Sequence, residues 1–184
     1  MTKVLHFSQK YPDYHSMAGM PTFFVEKFLI NKTGCTWHEP WYLEKLMELP
    51  ENEGKQHLIP DFVKSLSTDD IWPSKRHTVR GDYRWFPGSK FNPRVWSGIP
   101  YRSKTIAFWS DVTVEKVWEI VWYGDNPYPL INGKLIGLEA LDVLAKNDGL
   151  RLQSFIEWFT FNPDFKKAQK YTGIINCWDQ NVSY

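Results

Sequence analysis

The sequence predicts an α+β fold. Apolar residues recur at helical spacing near both ends of the chain, and the stretch from 104 to 122 alternates with the period of a strand. Strands and helices do not follow one another as βαβ units, which sets the chain apart from doubly wound folds. A length of 184 residues, 42% hydrophobic, is enough for one domain with a sizeable core.

Each element follows from local chemistry. Val4, Leu5, His6 and Phe7 read as a short first strand. A loop over 8–21, with Pro12, Gly19 and Pro21, leads to Thr22. That threonine can cap a helix whose apolar residues Phe24, Val25, Phe28 and Leu29 lie at i, i+4 spacing. Pro40 suits the first position of a second helix, running to about Leu49 with Tyr42, Leu46 and Leu49 as its inner stripe. A weaker helical piece covers 61–66. Residues 104–109 and 112–122 alternate as strands do, with Val112, Val114, Trp118, Ile120 and Trp122 on one face and Lys116 the exception. Asn132-Gly133 inside 130–136 marks a tight hairpin or a bent strand. Two helices are expected next, over 138–146 (Leu138, Leu141, Leu144, Ala145) and 152–161 (Leu152, Phe155, Ile156, Phe159). Gly149 is the left-handed stop of the first. Residues 173–178 close the chain as a strand.

Charge is unevenly spread. Between Lys75 and Lys104 stand eight Lys/Arg against one acid, Asp82, a local +7 that leaves −6 on the rest of a chain of net charge +1. Six aromatic residues are interleaved: Tyr83, Trp85, Phe86, Phe91, Trp96 and Tyr101. Cations for phosphates and flat rings for bases suit a nucleotide or a single strand; the same pattern also describes a basic loop over a core. An aromatic content of 17%, with ten Trp, favours a stacking role for some of them.

Other classes are disfavoured. Cys35 and Cys177 are far apart and match no metal-ligand spacing, and the start of the chain has no signal-like apolar run, so a reduced cytoplasmic setting with free thiols is expected. No apolar stretch approaches the ~18 residues of a membrane helix. His6, His15, His38, His57 and His77 form no metal-binding pattern, and there is no Gly-rich phosphate loop. Neither metal nor cofactor is expected.

Three pieces resemble the ASCH domains of the PUA-like superfold, in the same order. Lys75-Arg76-His77-Thr78-Val79-Arg80 is similar to the family's K-x-x-T-I-R element, and the strand over 112–122 stands in the expected middle position. Asp148-Gly149-Leu150, then Phe155-x-x-Trp158-Phe159 and Gly173-Ile174-Ile175-x-x-Trp178, are close to the family's ending. The likeness is loose over 2–30 and better over 72–178. Residues 31–71 have no counterpart and read as a helical insertion in a single domain spanning 1–184. The resemblance implies a curved, mostly antiparallel β-barrel with flanking helices and a cleft that binds RNA or a nucleotide. Some small members are amidohydrolases that remove the acetyl group of acetylcytidine. Their roles fall here on Thr78 as nucleophile, Lys75 as its activator and Asp148 as the acid.

The residues themselves leave alternatives. Thr78 is a nucleophile only beside a base, and is otherwise a β-branched strand residue. Lys75 is that base only when its pKa is lowered, and is otherwise a phosphate contact. Asp148 is one methylene shorter than the family's Glu, roughly 1.5 Å, and misplacement on that scale costs about 10²-fold. It is otherwise a turn residue. The planar fork of Arg80 suits a phosphate or a carboxylate. Arg76 and Arg102 add cations, and Trp96 and Tyr101 add rings for stacking. The first functional expectation is binding of a nucleotide or single-stranded RNA or other nucleic acid in a basic, aromatic cleft. The second is hydrolysis of an acylated nucleoside. The third is an accessory protein of a phage or mobile element whose residues 31–71 meet a protein partner.

Overall fold

β1 (Lys3–His6) is laid down beside β3 (Lys90–Trp96) in parallel, with His6 opposite Arg94. The other strand pairings among the described residues are antiparallel. The structure, a computed structural model, describes residues 2–34, 40–67 and 73–184, and the side chains of Pro40 and Trp41 are outside that description. The fold is α+β. One sheet holds β1, β3, β4 (Thr105–Ala107) and β5 (Val112–Thr113). The other runs in the order β2 (His77–Arg80), β9 (Lys170–Cys177), β6 (Lys116–Tyr123), β7 (Leu130–Ile131) and β8 (Lys134–Leu135).

The stretch read as one strand over 112–122 is two. Val114 donates to Ser89 O in the first sheet at 2.8 Å, and the next residue, Glu115, donates to Cys177 O in the second at 2.7 Å. The chain therefore changes sheets at this step. Val112, Val114, Ile120 and Trp122 are buried as expected, while Trp118 is only half-buried and meets Tyr184 edge-on. The hairpin turn at Asn132-Gly133 forms with both residues at positive φ (47° and 77°), the requirement of a type I′ turn.

The first helix, α1 (Phe24–Thr33), starts one residue later than a Thr22 cap would place it. Phe23 occupies the cap position, in a left-handed conformation with φ 56°. The Thr22 hydroxyl instead donates to Ser8 O at 2.6 Å and tethers the preceding loop. α2 (Pro40–Glu48) and α3 (Ile59–Lys64) belong to the insertion. Tyr42, Leu46 and Leu49 are buried, as their spacing predicts. A 3₁₀ turn over Pro50–Asn52 brings Asn52 against the edge of β4. Its carboxamide accepts from Ala107 N–H and donates to Ala107 O, both at 2.9 Å, as a neighbouring strand would. The insertion thus packs on the sheet. Cys35 and Trp37 are outside the described residues.

α4 (Leu138–Asn147) buries Leu141, Leu144 and Ala145, but Leu138, expected inside, is 54% exposed because it stands at the helix's first position. α5 (Leu152–Thr160) packs Phe155 and Phe159 against Trp122. A helix the sequence reading did not include, α6 (Pro163–Ala168), is capped by the Asn162 side chain, which accepts from Asp164 N–H at 2.8 Å. No helix among the described residues is long and apolar enough to cross a membrane.

Candidate functional site

The segment entering β2 threads between α1 and the α4–α5 corner. Lys75 N–H donates to Lys27 O at 3.0 Å, and Arg76 N–H donates to Asn147 O at 2.7 Å. This fixes Lys75 over the corner residue Asp148. The Lys75 ammonium donates to Asp148 Oδ1 at 2.9 Å and to Asp148 O at 2.6 Å, and lies 4.0 Å from the centroid of the Phe24 ring. The aspartate side chain is therefore long enough to reach the lysine, because the backbone holds the corner against it. Gly149 permits this approach. It sits at φ 80°, and a Cβ there would lie 3.2 Å from Lys75 Cβ and 3.3 Å from Lys27 Cδ.

Burial governs the electrostatics. Lys75 is 1% exposed, so it is not the solvated phosphate contact that the sequence left open. Desolvation lowers it to about 8 even with the Asp148 carboxylate beside it. Desolvation likewise raises Asp148 above the usual carboxylate range, against Lys75 and the Val79 N–H. Lys27, a residue of α1 that the sequence reading passed over, donates to Thr22 O at 2.9 Å and to Gly149 O at 2.7 Å. Burial, with Lys75 nearby, lowers it to about 8 as well.

His77 lies behind the pair. Its Nε2 is 3.1 Å from Leu144 O, so the ring hydrogen is on Nε2, and Nδ1 is left to accept from the Tyr184 hydroxyl at 3.3 Å. Burial, then the Lys75 charge, lowers His77 well below its ordinary value and keeps it neutral.

These groups line one of two neighbouring pockets, called here the inner and the outer lobe, that share a wall. The inner lobe, about 40 Å³, is lined by Lys75, Thr78, Arg80 and Asp148 with Phe7 and Phe24 among its apolar walls. The outer lobe, about 170 Å³, lies on the side of Tyr14, Asn162 and Tyr171, and Val79, Arg80, Trp158 and Phe159 line both. The Arg80 side chain makes one hydrogen bond among the described residues, to His6 O, and its Nε is buried without a partner.

Four sequence candidates thus line one pocket: Lys75, Thr78, Arg80 and Asp148. The others stand elsewhere. Arg76 points to Asp179, 3.7 Å away. Trp96 stacks on His6 with ring centroids 4.8 Å apart and lines a separate depression with Asp61 and Ser65. Tyr101 and Arg102 are exposed on the loop joining β3 and β4, with Tyr101 90% exposed. The sequence reading missed Lys27, Tyr14, Asn162 and Tyr171. The Asn162-Pro163 pair, a cap followed by a first-position proline, was the signal available for the segment carrying Asn162. Among the described residues no group of three His, Cys, Asp or Glu could hold a metal.

Comparison of the chain with protein-family models, with curated proteins and with solved structures finds no match.

Proposed function

We propose that the chain is a PUA-like domain of the ASCH type whose pocket hydrolyses an amide on a modified nucleoside such as acetylcytidine. The observation that carries the reading is a buried lysine brought down to about 8, bonded to Asp148 and lining the same small lobe as Thr78. At pH 7 such an amine is about one-tenth neutral, against roughly 3 in 10⁴ for an ordinary lysine, so the free base is about 300-fold more abundant. The α+β class, the mostly antiparallel pairing and the flanking helices support the reading, although the described strands lie in two sheets and no closed barrel is seen among them.

The acyl group would occupy the inner lobe and the rest of the ligand the outer one. Thr78 Oγ bonds to the amide carbonyl carbon as the Lys75 amine takes its proton and the carbonyl π pair moves onto oxygen. On collapse that pair re-forms the carbonyl, the C–N bond breaks, and the leaving nitrogen takes the proton from Lys75. Water then attacks the Thr78 ester by the same route, freeing the carboxylic acid and restoring the hydroxyl. Asp148 orients the amine and balances its charge. The test is the pH dependence of acetate release from acetylcytidine. With Lys75 required neutral, kcat/KM should rise about tenfold per pH unit below 8 and level off above it. A profile flat from about pH 6.5 to 9.5 would remove Lys75 as the base.

A second reading, binding of single-stranded nucleic acid, is favoured by the exposed Tyr101 beside the exposed Arg102 and Lys104. Under it, affinity for a short oligonucleotide falls with salt, with a log–log slope of about 0.7 per phosphate neutralised, and Arg102→Ala/Lys104→Ala flattens the slope. A slope near zero in the unmodified protein counts against a strand as ligand.

A further inference from the structure

Arg80 carries an arrangement that the three-residue set of Lys75, Thr78 and Asp148 does not explain. It is the final residue of β2, and its side chain lines both lobes at their junction. Of its five N–H donors, one is used among the described residues, by His6 O, and its Nε is buried without a partner. Among the described residues no carboxylate comes within 4.0 Å of it. Asp148, the acid of the same lobe, is already engaged by Lys75 at 2.9 Å. Arg80 is half-buried, and a guanidinium cannot shed its charge as a lysine can, so an anion beside it would offset the cost of its partial desolvation. Lys27 and Lys75 are buried nearby, and Asp148 is the one carboxylate that lines this lobe.

We propose that Arg80 is an oxyanion site: it binds the negatively charged oxygen that forms on the substrate carbonyl during attack by Thr78, and afterwards the carboxylate of the released acid. The catalytic part of this rests on the hydrolytic reading above; the anion site does not. Geometry favours this oxygen over a distant phosphate. The inner lobe holds little more than an acyl group, and Arg80 lines it together with the nucleophile and the base. A fixed cation at that point acts only when charge develops, which is how such groups accelerate acyl transfer. It also gives the product a planar, bidentate partner.

Titration calorimetry of the unmodified protein with sodium acetate, and separately with inorganic phosphate, against chloride at equal ionic strength tests the anion site without requiring turnover. Saturable binding at one site is expected for acetate. Arg80→Lys, which keeps a donor for His6 O, should weaken it at least tenfold, and Arg80→Gln should abolish it. Lys134→Gln, on the exposed strand β8, serves as a control and should bind as the unmodified protein does. If phosphate alone binds, and does so through Arg80, the site takes a phosphate and the product-carboxylate role is overturned. No saturable binding of either anion, or binding unchanged in Arg80→Gln, overturns the site itself. The catalytic role is read separately. With acetylcytidine as substrate, Arg80→Gln should lower kcat by about 10²–10³ with much less change in KM, and a kcat loss below tenfold overturns that role. Acetate binding through Arg80 in a protein that hydrolyses no amide would keep the anion site and discard the hydrolytic reading.

Discussion

Lys75→Met should stop acetate release and lower the Tm by something on the order of 10 °C, whereas Lys75→Met with Asp148→Leu should regain most of that Tm and remain inactive. The reasoning is electrostatic. Lys75 and Asp148 are both buried and make a 2.9 Å ion pair, so deleting the amine strips a buried carboxylate of its ion-pair partner and leaves it chiefly the Val79 N–H. Removing one member of such a pair costs about 3–5 kcal/mol, which in a domain of this size corresponds to that shift in Tm. Replacing both by apolar side chains of similar length is close to neutral, because the desolvation penalty goes with the charges. Phe7 and Phe24 already supply apolar walls for the substitutes. The double variant thus separates stability from chemistry. If it still releases acetate, Lys75 is not the base, and a Tm undiminished in the single variant would contradict the buried pair.

The count of charge in the sequence was a poor guide to where the charge resides. The run from Lys75 to Lys104 suggested a basic surface, yet Lys75 is buried and Arg80 lines the pocket. Arg84 is paired with Asp82 at 3.2 Å, and Arg76 points to Asp179. What the sequence did carry was a set that lines one pocket, because Lys75, Thr78 and Asp148 stood out through their likeness to a family's motif. Lys27 was not recognisable in that way. The start of α1 is buried on all sides, Phe24 to Leu29 without a break, so no periodicity marks Lys27 as facing a site. Its role comes from carbonyls of Thr22 and Gly149, one of them far away in the chain.

Strand legibility follows the same division. Local patterns sufficed for β7 and β8, whose turn residues Asn132 and Gly133 require a hairpin. β3 was hidden because Lys90, Pro93 and Arg94 interrupt its apolar alternation, and its parallel partner β1 is more than eighty residues away. The break between β5 and β6 depends on which sheet each half joins, a tertiary choice that Val114 and Glu115 do not encode locally.

Thr78→Val is the substitution that separates hydrolysis from binding most cleanly. Thr78 is 5% exposed and lies in β2 opposite Asn176 of β9, so the replacement must keep a β-branched shape to preserve the strand. Valine does so with nearly the same volume and removes only the hydroxyl, at a stability cost of about 1 kcal/mol at most. Under the hydrolytic reading, acetate release from acetylcytidine should fall by at least about 10³-fold, since the neutral amine of Lys75 then has no oxygen to activate. Ligand affinity should change by less than about tenfold, because Lys75, Arg80, Asp148 and the lobe walls are untouched. The same pair of measurements identifies the alternative. A protein that only binds shows no turnover before the substitution and nearly unchanged affinity after it. If acetate release survives in Thr78→Val at a comparable rate, a water activated directly by Lys75 replaces the covalent route, and the threonine returns to being a strand residue.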